Sequence, residues 1–327
     1  IEHKNFQNTE KSVCIYFFLI FCILEFTLKK QLTYWYRKYT PKFLQNLIQR
    51  NTPKKPKFWR YATHEKTSSN FDALNEGHLE HLEIISLLEG KNIQDKYYVD
   101  LGASDGVYSS STFLFAKDNK WSGLSVEMDN DKFALMSYVY SEFENISLTK
   151  NKITPNNIQA ILDSFEVPKD FTVLNLDIDS YDLFVIKELL MSGYRPQIIS
   201  MEINEKIPPP IYFTVLFDPS HYWKGDHFFG CSLTAACSVV KKFDYKLVKL
   251  QYNNAIFVRS DFSQDLNDAS AKDAYLEGYA NKVDREKRFS YNKDVDILLD
   301  LSPDEMKKFI ENFFKKYDGL YSLSVDE

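Results

Sequence analysis

Five short apolar segments, at 97–101, 123–127, 146–150, 172–178 and 197–203, begin about 25 residues apart. That interval holds one strand, one crossover helix and two short loops, so strand and helix should alternate and the strands should run parallel. The stretches between them carry helical spacing at 133–140, at 156–165 behind Thr154 and Pro155, and at 182–192 ahead of Gly193. After the fifth segment the rhythm changes. The proline-rich KIPPPIYF at 206–213 reads as a loop, 232–242 as a helix, and 245–250 with 255–259 as the arms of a hairpin turning at QYNN. The expected fold class is α/β: a doubly wound, mostly parallel seven-stranded sheet with an antiparallel C-terminal hairpin, plus helical N- and C-terminal appendages.

This places a catalytic-type domain at 67–262, between an N-terminal segment at 1–66 and a helical extension at 263–327. Residues 13–28 are almost purely apolar, broken by Glu25, and slightly short of the ~20 residues a spanning helix needs. Three readings stay open: a membrane anchor or interfacial helix, a helix packed on protein, or a signal sequence. If the run spans, the lysines and arginines at 29, 30, 37 and 38 keep the body cytosolic; a cytoplasmic location is expected either way. The basic, aromatic stretch through KKPKFWRY at 54–61 reads as a linker. In the extension, Ser302-Pro303-Asp304-Glu305 is a capping box, and Met306, Phe309, Ile310, Phe313, Phe314 and Tyr317 share one helix face. That face must be buried on the domain or in a homo-oligomer.

With 46 acidic against 40 basic side chains, the net charge of -6 argues against a nucleic-acid partner, which needs clustered Lys and Arg. The four cysteines, at 14, 22, 231 and 237, match neither a zinc spacing nor a disulfide framework, and favour a reducing compartment.

In open α/β sheets ligands bind beyond the carboxyl ends of the strands. Strand one ends in Asp100-Leu101-Gly102-Ala103-Ser104-Asp105-Gly106, where Gly102 permits a tight turn and Gly106 a close helix approach. Glu127 closes strand two at the offset at which an acid reaches ribose hydroxyls. Asp100 would repel a pyrophosphate but attract the ammonium and sulfonium of S-adenosylmethionine, which points away from a dinucleotide. The alternative is that Asp100 merely caps the following turn. Further along, Asp177, Asp179 and Glu202 with Asn204 gather at the ends of strands four and five, a hard-oxygen set suited to Mg²⁺ or Mn²⁺. Alternation puts Asp177 and Asp179 on one face. These acids could equally cap helix N-termini.

The blocks YYVDLGASDGVYSSSTFLFAKDNKWSGLSVEMD, LNLDIDSYDLFVIKELL, YRPQIISMEIN and YKLVKLQYNNAIFVR, collinear over about 190 residues, resemble the FkbM-related methyltransferase-like family. The resemblance implies a Rossmann-like class I methyltransferase fold, S-adenosylmethionine as cofactor, and sugar or other small-molecule hydroxyls as acceptors. It assigns cofactor binding to Asp100, Gly102, Ala103, Ser104, Gly106, Glu127 and Asp177, although Ser104 stands where the general loop has its middle glycine. The DIDSY block at 177–181 is also similar to metal-dependent sugar O-methyltransferases of the macrocin type. That likeness implies Asp177, Glu202 and Asn204 as metal ligands and Asp179 as the base. His227, with His221 in DPSHYWKGDHFF, is expected to line the acceptor side or act as a base, against the plainer reading of a solvated loop histidine. Tyr212, Phe213, Tyr222 and Trp223 suit stacking on a sugar face or packing of a long loop. The expected activity is O-methylation of a glycan or related small molecule; the alternative is an inactive, binding or membrane-tethered scaffold of the same fold.

Overall fold

The computed structural model describes residues 80–326, apart from 92, 94, 95, 108, 109, 119 and 263. The apolar run at 13–28 and the basic linker lie outside the described residues. Among the described residues, no helix is long and apolar enough to cross a membrane.

Strands β1 (Tyr97–Leu101), β2 (Ser122–Glu127), β3 (Ile146–Lys150), β4 (Val173–Leu176), β5 (Ile198–Glu202), β7 (Tyr245–Gln251) and β8 (Asn254–Arg259) form one sheet in the order β3-β2-β1-β4-β5-β8-β7. The first five are parallel, while β8 runs antiparallel to β5 and to β7. Chain order thus reverses direction between β1 and β4, and a crevice opens there at the carboxyl ends.

The central strands are buried on both faces, which is why they read as apolar runs. Val99, Leu101, Leu174, Leu176, Ile199 and Met201 enter one core, with helices α4 (Ile158–Ser164), α5 (Asp182–Met191) and α6 (Leu233–Val240) against them. Their neighbours Tyr98, Val173 and Ile198 point to the opposite face, toward α1 (Glu80–Leu88), α2 (Phe113–Lys117) and α3 (Asn130–Val139). Truncating a fully buried leucine such as Leu101 or Leu176 would cost about 2–5 kcal/mol.

Two strands depart from the sequence-based expectation. The stretch read as a loop contains β6 (Ile211–Val215), and the extension read as helical ends in β9 (Tyr321–Val325). The two pair antiparallel from Ile211↔Val325 to Val215↔Tyr321 in a separate small sheet. Each strand has only five residues, β6 being bridged also to Cys231 through Thr214, and the pairing joins segments more than a hundred residues apart, so no local pattern shows it. Beneath it, Ile211, Phe213, Val215 and Phe228 pack on Met306, Ile310, Phe314 and Tyr317, the apolar face of the helix Pro303–Phe313 and the turn after it. The extension's apolar face is therefore buried against this chain's own β5–α6 insertion.

Candidate active site

At the end of β1 the main chain does most of the building. The amides of Gly102 and Ala103 both donate to the carbonyl of Val126 at 3.0 Å, and the amide of Asp177 donates to Leu101 at 2.9 Å. These bonds draw the β1 loop against β4 so tightly that a β-carbon on Gly102 would overlap the Asp177 carbonyl, and Gly102 itself adopts φ +95°. Gly106 abuts Met136 and Tyr140, and its carbonyl accepts the Tyr140 hydroxyl at 2.8 Å. Ser104 takes φ +53°, the left-handed backbone a glycine would adopt without cost, and its amide donates to Glu127 Oε2 at 2.8 Å. Glu127 Oε1 meanwhile accepts the amides of Met128 and Asp129 at 2.8 and 2.7 Å. That carboxylate is fixed by three main-chain donors, two on Oε1 and one on Oε2, so Oε2 keeps a lone pair for a ligand hydroxyl.

Asp100, on β1 itself, is fully buried. Its oxygens accept the Thr112 hydroxyl at 2.6 Å and the Asn175 carboxamide at 2.9 Å. Burial pushes its carboxyl up to about 6, although both hydrogen bonds pull the other way. Among the described residues no Lys or Arg pairs with it, and a buried carboxylate in that state is one that a positively charged ligand would stabilise.

Asp177, Asp179 and Glu202 present oxygens that all lie within 4.8 Å of one another. They meet through a loop rather than through strand alternation, because β4 ends at Leu176 and Asp179 sits in the left-handed region at φ +53°. Asp182, at the start of α5, holds that loop: its carboxylate accepts the amides of Ile178 and Ser180, each at 3.0 Å. Asn253 donates to Glu202 at 2.8 Å. Burial first, and then the neighbouring carboxylates, raise the Asp177 and Glu202 carboxyls well above the usual range. Asp179 is raised by burial too, while the charges of Lys132 and Lys206 oppose the shift. Three crowded acids of this kind fit a hard divalent cation, which would relieve their mutual repulsion.

A cavity of about 350 Å³ joins the two halves. Its wall includes Asp100, Gly102, Ala103, Ser104, Glu127, Asp177 and Asp179, together with His221, Tyr222 and Trp223 from the β5–α6 insertion. The volume lies within the range of small-molecule sites. Gly106 and Glu202 lie behind the wall, Glu202 still within reach of Asp177 and Asp179, and two further expected residues sit elsewhere. Asn204 is wholly buried, its carboxamide nitrogen donating to the carbonyls of His227 and Phe229 at 2.9 and 3.0 Å. His227 faces Asp294 at 3.1 Å and the ring of Phe313, off the cavity wall. Three cavity or support residues went unnoticed in the sequence. Asn175, a polar residue inside the apolar VLNL, was a usable signal; Thr112 and Lys152 carried none, since their roles depend on distant partners.

The sheet order, its reversal between β1 and β4 and the final antiparallel strand define a Rossmann-like class I methyltransferase fold. Among solved structures, the chain is similar to a SAM dependent methyltransferase from Aquifex aeolicus (10% identity, 59% of this chain and 96% of that one, TM-score 0.34). It is also similar to the N-terminal domain of EvdMO1 in the presence of SAH and D-fucose (9% identity, 60% and 84%, TM-score 0.37). A third is the METTL16 MTase domain (13% identity, TM-score 0.29), where the match takes in 42% of this chain and only 61% of that one. No protein-family model matches the chain, and no curated protein matches it.

Proposed function

We propose that this protein is an S-adenosylmethionine-dependent O-methyltransferase acting on a hydroxyl of a sugar, glycan or related small molecule, with assistance from Mg²⁺ or Mn²⁺. One observation carries the reading: a single cavity is lined both by the loop 100–104 with Glu127 and by the Asp177 and Asp179 carboxylates. The FkbM-like motifs supply the acceptor class.

In this reading Asp100 and Asp177, with the main chain of Gly102, Ala103 and Ser104, hold the amino-acid end of the cofactor. Glu127 receives the ribose hydroxyls, and Gly106 lets α3 close behind the loop. When bound, S-adenosylmethionine supplies an electrophilic methyl group whose sulfur is already a good leaving group. The chain's own task is to align and deprotonate the acceptor. Asp179 takes the hydroxyl proton as the oxygen–methyl bond forms and the carbon–sulfur bond breaks. Beside Asp179, Asp177 and Glu202 are the side chains that would hold the cation, whose charge would acidify the hydroxyl. Residues 221–223 keep bulk water from the reacting atoms. Residues 13–28 would tether the domain to a membrane from the cytosolic side.

The reading is tested by incubating the full chain with methyl-labelled S-adenosylmethionine and a panel of glycosides, with Mg²⁺ or with EDTA. Label transfer that falls in EDTA is expected. Cofactor binding without transfer to any acceptor would instead favour a binding protein that has lost turnover.

A further inference from the structure

The insertion that walls the cavity is fastened on two sides. From the β3 side, Lys152 Nζ donates to the carbonyls of Pro219 at 2.6 Å and His221 at 3.1 Å, and lies 4.0 Å from the Tyr222 ring centre. From the side of the C-terminal extension, the Asp226 carboxylate accepts the Tyr317 hydroxyl and, at 3.0 Å, Lys316 Nζ, while Phe228 stacks on Tyr317 at 3.9 Å. Asp226 also reaches inward. Its Oδ1 accepts the Phe228 amide at 3.1 Å, and its carbonyl accepts the Trp223 indole N–H at 2.7 Å.

Four aromatic side chains were candidates for stacking, and their surroundings separate them. Phe213 is wholly buried in the small core. Tyr212 packs against the main core. The Tyr222 ring is already engaged by Lys152. Trp223 remains: it lines the cavity and is 46% exposed, with its one polar atom satisfied by Asp226. Its ring meets buried Phe229 edge-on at 6.0 Å, and Phe229 in turn lies 4.3 Å from the Lys206 ammonium. A large ring with its N–H already bonded, half in water at the mouth of a cavity, offers an apolar face and no further hydrogen-bond demand. The matching ligand surface is the C–H face of a sugar ring, whose hydroxyls point sideways toward the carboxylates.

We propose that Trp223 is the residue on which the acceptor's sugar ring stacks, its indole held by the main-chain carbonyl of residue 226, and that the Asp226 carboxylate is a positioning group that anchors this loop to the C-terminal extension; this rests on the O-methyltransferase reading above. The test uses the full chain and two probes. S-adenosylhomocysteine binding is followed by calorimetry, and binding of the methyl glycosides of D-glucose, D-galactose, D-mannose and L-rhamnose, with S-adenosylhomocysteine present, by saturation-transfer NMR. Trp223→Ala is expected to weaken the bound glycoside about tenfold or more, Trp223→Phe to restore most of the affinity, and both to keep S-adenosylhomocysteine affinity. Asp226→Asn keeps the main-chain carbonyl but weakens the side-chain anchor to Lys316 and Tyr317; it should weaken the glycoside while sparing S-adenosylhomocysteine, a split that a general loss of folding would not give, and unchanged glycoside affinity would overturn the anchoring role. Unchanged glycoside affinity in Trp223→Ala overturns the proposal. So does a parallel loss of S-adenosylhomocysteine, which would put Trp223 on the cofactor's side, and so does a wild-type chain that binds S-adenosylhomocysteine but no glycoside. Failure of the wild type to bind S-adenosylhomocysteine at all overturns instead the methyltransferase reading on which the proposal stands.

Discussion

Around Gly102 the cavity wall is main chain clamped between β1, β2 and β4, whereas around Trp223 it is a set of side chains hung on the far end of the polypeptide. The first wall is set by backbone hydrogen bonds within a sheet buried on both faces. The second depends on β6–β9 pairing and on the aromatic contacts among Phe213, Phe228, Phe314 and Tyr317. A backbone wall cannot vary without disturbing the sheet; a side-chain wall can be altered residue by residue. The contrast suits a fixed cofactor on one side and a specific acceptor on the other.

The largest expected effect breaks the rigid side. Gly102→Ala adds a clash with the Asp177 carbonyl to an unfavourable positive φ, and should cost about 4 kcal/mol of stability by urea unfolding. Asp179→Asn should lower turnover about a thousandfold while S-adenosylhomocysteine still binds, separating chemistry from cofactor capture in single-turnover assays. Asp100→Ala should weaken calorimetric binding of S-adenosylhomocysteine at least about a hundredfold, because it removes the buried carboxylate and leaves Thr112 and Asn175 unpaired.

A pH titration addresses the same half. Asp100 and Asp182 titrate near 6 in the folded chain, above the ordinary 3.8, so between these values the native state holds more protons than the unfolded state. Their contribution is complete below the unfolded value and is lost as pH rises through 6. The ligand-free protein should therefore lose about 2 kcal/mol between pH 5 and 7.5 in urea unfolding. Acids lowered by surface partners, such as Asp163 and Asp261, lose their contribution only in more acidic solution. The smallest effect belongs to the other half: Tyr317→Phe should cost about 1 kcal/mol, visible as a small drop in the unfolding midpoint.

The two halves also differ in how far the sequence disclosed them. Strands β1 to β5 and the β7–β8 hairpin were legible because burial on both faces writes continuous apolar runs at regular spacing, and Asp100 and Glu127 were legible because they end such runs. The trio of carboxylates was legible in membership but not in cause, since left-handed Asp179 and the restraining Asp182 bring it together. Strand β6 was hidden behind KIPPP and its partner β9 lies about a hundred residues further on, so no local pattern announced either. For the same reason His227 could not be separated from His221: both sit in one loop, and only contacts with Asp294 and Phe313 turn His227 away.

On the proposed reading, the wall around Asp100, Ser104 and Glu127 receives S-adenosylmethionine. This is tested most directly by calorimetric titration of the full chain with S-adenosylmethionine and S-adenosylhomocysteine, in Mg²⁺ and in EDTA. Saturable binding in the micromolar range, about -8 kcal/mol, is the predicted result. Absence of binding by either ligand to a folded sample would contradict it.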